Sequence, residues 1–398
     1  MRPSSARPLP SRLPASLLGV LPRMGELDQP ALLFGTCVRN LLLGVRPAHF
    51  EILTPLALDV LLARFPQAIA LEPDRGILGV PIPGGLAALH ALRPGQSALE
   101  RLGEQDFSLH AIGWDPCQNV FADPQLGVED LATGVLKASD TSLERFREFP
   151  LRAVRAARLC AQYSLTPADD LVSVMRGAAP RLEGLHRSHL RGEIEALLLG
   201  AHVRPGLEVL RRTGLEAILA PGVADDAHRV VERLPAELGI RMAGWLRGTR
   251  AQRILRRMGQ PNTRVDYVEA LLLRHPVDTQ EGDSGRFGRL ARLPHGLRDD
   301  LFTLRTTEIE TRAEGSSARS ALKHLRERVE ARERDAQAAR QRGSLALDGV
   351  AVMEQLGTGS GPRVGAALRY LTRKVAEHPS CNTPAQLHAL LEAWDGGD

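Results

Sequence analysis

The sequence contains few aromatic residues and few cysteines, and it has no long apolar run. Phe, Trp and Tyr make up 4% of the 398 residues, so we expect no core or binding surface built mainly from stacked rings. No apolar run approaches the ~20 residues of a membrane span, so no membrane partner is expected. The four cysteines lie far apart and form no CxxC pair: Cys37, Cys117, Cys160 and Cys381. This spacing predicts no disulfide framework and no cysteine zinc site, and favours a reducing, cytoplasmic location.

Lysine is also nearly absent, so almost every positive charge is an arginine. Lys137, Lys323 and Lys374 are the three lysines, and the formal net charge is +4 with a pI of about 9.1. Arginine binds phosphate in a bidentate manner and stacks on bases, which suits an RNA partner. Codon bias would enrich arginine equally well, so the composition alone leaves both explanations open.

The hydrophobic pattern changes near residue 146, from a mixed α/β pattern to a helical one. Residues 31–55 read as strand, glycine turn, helix and strand, and residues 69–93 as hairpin strands. Residues 275–300 read as a polar hinge or loop, and residues 317–342 as a long, densely charged helix that is solvated or faces RNA. The predicted segments are a loose leader (1–30), an α/β domain (31–145), a helical neck (146–225), a helical body (226–342) and a helical tail (343–398).

Six short motifs occur in a fixed order along the chain. They are Gly35 to Gly44 (GTCVRNLLLG), Asp106-Phe107-Ser108, Phe121 to Leu131 (FADPQLGVEDL), Glu144 to Ala156 (ERFREFPLRAVRA), His186 to Leu199, and a C-terminal set at Leu347-Asp348-Gly349, Met353-Glu354, Gly361 to Gly365 and Asn382-Thr383. Together they resemble the class II tRNA nucleotidyltransferases (CCA-adding enzymes) and the bacterial poly(A) polymerases. The resemblance covers roughly residues 33–394. It implies an α+β fold, in which a nucleotidyltransferase-like domain with a mixed sheet precedes an all-α neck, body and tail.

The resemblance also implies two Mg²⁺ ions held by three carboxylates, two of them in a D-x-D pair on the second strand. Here that pair stands as His49 and Glu51, and the third acid aligns with Ala88. Imidazole suits Mg²⁺ poorly, and one carboxylate offsets little of the charge of two divalent ions. We therefore expect Glu51 to be a residual catalytic and metal-binding residue, with Mg²⁺ weakly bound or absent. A rebuilt site in which His49 and Glu51 hold Mn²⁺ or Zn²⁺ is the alternative.

By the same resemblance, the residues that contact the nucleotide (ATP or CTP) are Gly35, Thr36, Arg39, Asp106, Arg152 and Arg155. Phe149 replaces an Asp that would hydrogen-bond the base, so base discrimination is expected to weaken. Glu104 and Gln105 replace two arginines, Asn40 replaces an Asp and His110 replaces an Asn. An alternative is that Arg39, Arg152 and Arg155 make buried ion pairs that hold the helix to the sheet.

These expectations lead to three functional hypotheses. The first is a protein that binds tRNA or a tRNA-like RNA, with nucleotidyl transfer weak or lost. The second is an active enzyme that adds nucleotides to RNA 3′ ends through a rebuilt metal site. The third is a nucleotide-binding or structural partner without an RNA role. No HExxH, GxSxG or GxxxxGK[ST] motif occurs, which gives other catalytic classes little support.

Overall fold

A computed structural model describes residues 13–25, 30–82, 85–139, 142–184, 187–277, 286–343 and 345–394. The chain divides into two compact units. The first comprises residues up to Arg274 together with Glu310–Arg312, and the second comprises His275–Ile309 and Ala313–Asp398. The subdivision into neck, body and tail stays a prediction.

The first unit begins with a seven-stranded sheet in the order β3-β4-β5-β2-β1-β6-β7. Its strands are β1 (Leu32–Phe34), β2 (Phe50–Thr54), β3 (Ile69–Glu72), β4 (Ile77–Ile82), β5 (Gly85–Ala91), β6 (Gly113–Asp115) and β7 (Val120–Ala122). β2 and β5 run parallel, and the other neighbours are antiparallel. The mixed sheet and the hairpins predicted over 69–93 are thus confirmed.

The first helices pack around this sheet. They are α1 (Ala15–Val20), α2 (Thr36–Leu42), α3 (Leu58–Arg64), α4 (Ala98–Gly103) and α5 (Gly127–Thr133). Gly35, with φ +71°, makes the sharp turn from β1 into α2 that a residue with a side chain rarely adopts. The predicted order of strand, turn, helix and strand over 31–55 is therefore confirmed.

The segment before β1 belongs to the hydrophobic core of the sheet domain. Leu13, Leu17, Leu21 and Met24 are buried in that core. The Thr54 hydroxyl also donates a hydrogen bond to the Met24 carbonyl. Residues 13–24 are therefore part of the folded domain rather than of a loose leader. Their apolar side chains recur at helical spacing, so one face of the segment can pack into the core. Residues 1–12 and 26–29 lie outside the described residues.

A helical array completes the first unit. Its helices are α6 (Ser142–Glu148), α7 (Leu151–Tyr163), α8 (Asp169–Ala178), α9 (Arg187–Leu198), α10 (Val203–Arg212), α11 (Leu215–Leu219), α12 (Ala227–Arg233), α13 (Leu238–Leu246), α14 (Ala251–Arg257) and α15 (Asn262–Leu272), with a short parallel pair β8 (Val135–Leu136) and β9 (Thr166–Pro167). α7 packs against α9 and α10. A Cβ at Gly206 would lie 2.6 Å from the Ala161 Cβ, so the absence of a side chain lets α10 approach α7 closely.

The second unit is helical in its described part. Its helices are α16 (Arg286–Ala291), α17 (His295–Arg312, whose last three residues group with the first unit), α18 (Ser316–Gly343), α19 (Gly349–Leu356), α20 (Pro362–Glu377) and α21 (Pro384–Glu392). The long charged helix is confirmed as α18. The hinge or loop predicted over 275–300 is wrong for residues 286–291 and 295–300, which are helical. Leu297, Leu301 and Leu304 supply the apolar face of α17 at helical spacing, a signal that the surrounding polar residues obscured.

No helix of the described segments is long and apolar enough to cross a membrane.

Candidate functional site

A cleft of about 1780 Å³ opens beside the sheet, next to the turn between β1 and α2. Its lining includes Gly35, Thr36, Glu51, Asp106 and Arg155, five of the residues predicted from the sequence. The elements that position them are β2, the β1–α2 turn, the loop after α4, and α7. The fold thus brings together predicted residues that are far apart in the chain.

Glu51 is the carboxylate beside the β1–α2 turn. The Thr36 backbone N–H donates a hydrogen bond to it, and a Cβ at Gly35 would lie 3.1 Å from Glu51 Oε2. Glycine at position 35 therefore leaves room for the carboxylate against the turn. Burial raises the pKa of Glu51, while the Thr36 N–H and the positive charge of Arg39 oppose that rise.

The neighbour of Glu51 on the cleft side is a neutral imidazole. His90 Nε2 lies 3.9 Å from Glu51 Oε1. Burial, followed by the charge of Arg101, lowers the pKa of His90 to about 4, so at neutral pH this contact is not an ion pair. Phe34 packs edge-on against the His90 ring, with 4.9 Å between the centroids. His90 lies two residues after Ala88 on β5, and nothing in the sequence pattern singled it out.

The resemblance implies carboxylates at two further positions, which are occupied here by His49 and Ala88. Ala88 is the register partner of Glu51 on the parallel strand β5, so the sequence alignment placed it correctly beside that residue. His49 is exposed and precedes the first residue of β2. In the portion of the chain that the structure describes, no three His, Cys, Asp or Glu side chains are arranged to hold a metal ion.

This donor set does not fit a pair of Mg²⁺ ions. Magnesium requires near-octahedral oxygen ligands, and a two-metal site needs several carboxylates to offset four positive charges. Glu51 supplies one carboxylate, with the His90 imidazole 3.9 Å away and Ala88 as its register partner on β5. One carboxylate leaves most of the charge of such a pair of ions uncompensated.

Arg39 does not line the cleft but is buried beneath it, with 3% of its surface exposed. Its guanidinium donates to Asn40 Oδ1 at 2.9 Å and to the Tyr163 hydroxyl at 2.7 Å, and it lies 2.6 Å from His110 Nε2. It also stacks over the Tyr163 ring, 4.4 Å from the centroid. Burial lowers the pKa of Arg39 to about 10, and burial together with the charge of Arg39 lowers the pKa of His110 far below its usual value. His110 is therefore neutral and accepts a hydrogen bond from Arg39.

Asp106, Arg152 and Arg155 form one ion-pair network. Asp106 accepts hydrogen bonds from Arg152 Nε at 2.7 Å and from Arg155 Nη1 at 2.6 Å. Arg155 Nε continues the network to Glu193 at 3.0 Å, and Arg158 Nε reaches the same carboxylate at 2.5 Å. The network joins the loop after α4 to α7 and α9. Arg152 and Arg155 are thus in ion pairs, although their acids lie on that loop and on α9 rather than on the sheet, and Arg39 is not part of the network. Sequence reasoning missed Arg158 and Glu193.

The chain has relatives of known activity that match it along nearly its whole length, although no protein-family model matches it. It is 26% identical to the CCA-adding enzyme of Geobacillus stearothermophilus, over 94% of this chain and 95% of that enzyme. It is 27% identical to the A-adding tRNA nucleotidyltransferase of Deinococcus radiodurans, over 94% and 97%. The crystal structure of the Bacillus stearothermophilus CCA-adding enzyme in complex with CTP superimposes with a TM-score of 0.64 at 25% identity, over 95% and 96% of the two chains. The chain is thus similar to tRNA nucleotidyltransferases along nearly its whole length.

A second solved structure with this fold is the Thermotoga maritima CCA-adding enzyme complexed with tRNA. It is 14% identical, has a TM-score of 0.61, and covers 96% of each chain.

Two further departures from the family's sequence pattern lie at or near the cleft. Glu104 binds Arg93, and it also accepts hydrogen bonds from Arg101 Nη1 at 3.1 Å and Gln96 Nε2 at 2.9 Å. One carboxylate is thereby shared by two of the cleft's arginines. Phe149 is 56% exposed, and its ring lies under the guanidinium of Arg152, 5.1 Å from the centroid. The chain thus presents an aromatic ring where the family's pattern has an acid.

Proposed function

We propose that this tRNA nucleotidyltransferase relative binds RNA of the tRNA 3′-end type and that its nucleotidyl transfer is weak or lost. The observation that carries the second part is the pairing of Glu51 with Ala88 across β2 and β5, which leaves one carboxylate where the reaction needs several. The loss of a metal-binding acid costs several kcal/mol of transition-state stabilisation, or roughly a thousandfold in rate.

The charges in the cleft support the same proposal. Each of Arg93, Arg101, Arg155 and Arg158 already contacts a carboxylate. A triphosphate has to compete with those acids for the arginines, which weakens its binding. ATP or CTP binding is therefore expected to be weak, and discrimination between them is expected to be poor because Phe149 offers no hydrogen-bond acceptor to a base.

The RNA part of the proposal rests on the family and on exposed arginines of the helical array. One solved relative is described as complexed with tRNA. In the arginine-rich stretch 241–257, Arg241 is buried and donates to the carbonyls of Leu198 and Gly200, so it holds the fold together. Arg253 and Arg256 on α14 are exposed and form no ion pair with another described residue, so they are available to phosphates.

Salt dependence tests the RNA part. We expect a tRNA transcript lacking its 3′-CCA to bind, and its affinity to fall at least about tenfold between 50 and 200 mM salt, because phosphate contacts release counterions. Fluorescence anisotropy with the full-length protein measures this. Absence of binding at low salt, or binding that salt does not change, would contradict the proposal. If the protein binds a nucleotide but retains no RNA, the result would instead favour the third hypothesis, a nucleotide-binding or structural partner without an RNA role.

A labelled-nucleotide extension assay tests the catalytic part. With ATP or CTP and either Mg²⁺ or Mn²⁺, we expect incorporation at least about a thousandfold slower than that of an active CCA-adding enzyme in the same assay. Incorporation at a comparable rate that Glu51→Ala abolishes would establish the alternative, an active enzyme with a rebuilt metal site. The cytoplasmic location stays a prediction.

A further inference from the structure

A short stretch of the cleft wall brings three hydrogen-bond donors to one carboxylate, that of Glu104. Arg93 and Gln96 donate to its Oε1, Gln96 at 2.9 Å, and Arg101 Nη1 donates to its Oε2 at 3.1 Å. All four residues line the main cleft. The carboxylate therefore occupies the point on which two guanidinium groups and an amide converge.

The backbone that carries these donors is held in place without the carboxylate of Glu104. The stretch begins directly after β5, and a capping box formed by Ser97 and Glu100 starts α4. At the end of the stretch, Arg145 Nη1 donates to the backbone carbonyl of Glu104 at 2.6 Å. A rotation of the Glu104 side chain would thus leave the backbone beneath the donors where it is.

The Glu104 carboxylate is accessible from the cleft and can be displaced. Its side chain is 27% exposed, and those of Arg93 and Arg101 are 68% and 24% exposed. Ion pairs at this level of exposure contribute little to stability, because water competes for the charges. The carboxylate is therefore not needed to hold the fold together.

Glu104 is also the acid that controls both arginines. Within the described segments, it is the one carboxylate that forms an ion pair with Arg93 or Arg101. Arg155, by comparison, binds two acids at once. If the side chain of Glu104 turned away, two guanidinium charges would become available on the cleft wall.

The donors around Glu104 suit a phosphate group as well as they suit a carboxylate. Phosphate oxygens accept charge-assisted hydrogen bonds from guanidinium groups, and arginine presents its donors in a fork that fits two of these oxygens. A phosphate also carries up to two negative charges where a carboxylate carries one. Two arginines and an amide therefore form a donor set that a phosphate would fill.

We propose that Arg93, Gln96 and Arg101 form a phosphate subsite that the carboxylate of Glu104 closes from within the chain. The ligand is the terminal phosphate of a polyphosphate chain, which belongs to a nucleoside triphosphate or is inorganic. Glu104 acts as a tethered competitor, so its high effective concentration keeps the ligand weakly bound. This inference rests on the proposed function, because it assigns the weak nucleotide binding expected there to one side chain.

Removal of the Glu104 charge tests the subsite. Isothermal titration calorimetry measures the binding of ATP and of inorganic tripolyphosphate to the full-length protein, with no divalent metal added. We expect Glu104→Gln, which keeps the shape of the side chain, to bind ATP at least about fivefold more tightly than wild type, because an anionic competitor is removed. An equal gain for tripolyphosphate shows that the phosphate chain alone is recognised, and a gain for ATP alone shows that the nucleoside is needed.

Glu72→Gln is the matched control. Glu72 lines the same cleft and pairs with one arginine, Arg75, so its replacement removes the same charge without opening the subsite. We expect its affinity for ATP to stay within about twofold of wild type. Adding Arg101→Gln to Glu104→Gln should return the affinity to the wild-type value or below, because the subsite then lacks one guanidinium group.

The outcomes separate this inference from the proposed function. If Glu104→Gln gains nothing over wild type, or if Glu72→Gln gains as much, the closed subsite is overturned, while RNA binding and weak transfer stand. Failure of the proposed function is read from wild type in the tRNA binding and extension assays. Circular dichroism and melting temperatures confirm that each variant is folded, and Glu104→Ala, which also removes the carboxylate, should show the same gain.

Discussion

Arg39 is a buried cation without a carboxylate among its hydrogen-bond partners. Its partners are Asn40, His110 and Tyr163, and burial lowers its pKa, while Tyr163 and then Glu51 favour its charged form. Because each charge favours ionisation of the other, Glu51 also serves as a structural counter-charge to Arg39. An acid at position 51 therefore has a structural role that does not depend on binding a metal ion.

The acid sensitivity of the fold is expected to depend on His90. Its pKa is lowered to about 4 in the folded protein, against an ordinary value of 6.5. Stability is then fully present above pH 6.5 and falls as the pH drops towards 4, because the unfolded chain binds the proton first. The loss reaches at most about 3 kcal/mol. We expect His90→Gln to flatten this part of the pH dependence of urea unfolding. An unchanged acid slope in His90→Gln would contradict the prediction.

Asp106 is expected to be a stability residue of the network on α7. Asp106→Asn leaves Arg152 and Arg155 without one of their acids in a partly buried place, so we expect a loss of about 2–3 kcal/mol in the free energy of unfolding. Asp74→Asn, an exposed acid, should change it by less than about 0.5 kcal/mol. Chemical denaturation measures both, and equal stabilities would disprove the role of the network.

Sequence reasoning found the place of Glu51 and Ala88 but not the partners of the arginines. Ala88 was placed by the resemblance, which aligns this position with the third acid of the family's pattern. Arg39, by contrast, meets His110 and Tyr163, which are 71 and 124 residues away in the chain. The sequence identifies an arginine but not its partner in the fold, which can be a carboxylate, an imidazole, an aromatic ring or a phosphate.

At the scale of elements, periodicity predicted the long segments and failed on the short ones. α18 was predicted from its length and dense charge, and the short β1–α2–β2 unit from the glycine turn between its strand and helix. β6 and β7 have three residues each, too few for an alternation to be visible. α16 and the start of α17 carry few apolar residues, so their helical face was not recognised.

The packing of α10 on α7 gives a prediction at this scale. Gly206→Ala places a methyl group 2.6 Å from the Ala161 Cβ and 2.7 Å from the Ala157 carbonyl, so we expect a loss of about 1–3 kcal/mol. Gly177→Ala on α8 meets open space and should stabilise by about 0.5–1 kcal/mol. Thermal unfolding measures both variants, and stabilisation by Gly206→Ala would show that the two helices have room to separate.

At the scale of the whole molecule, the two units have separate hydrophobic cores. One lies beneath the sheet and contains Leu89, and the other contains Leu371 on α20. Chains with separate cores often unfold in more than one step. We expect Leu371→Ala, a cavity-forming change worth about 2–5 kcal/mol, to lower one calorimetric transition. Leu89→Ala should lower the other, and a single transition that shifts equally in both variants would show that the cores unfold together.

The parallel register of β2 and β5 allows a direct test of the missing second carboxylate. Because residue 88 sits directly across from Glu51, a single codon change to aspartate would restore a pair of facing acids without moving the backbone. We expect Ala88→Asp to be destabilised in chelator through repulsion between the two acids, and to regain melting temperature on titration with Mn²⁺ more than wild type does. If the proposed loss of nucleotidyl transfer is correct, the strand geometry leaves a second carboxylate one substitution away.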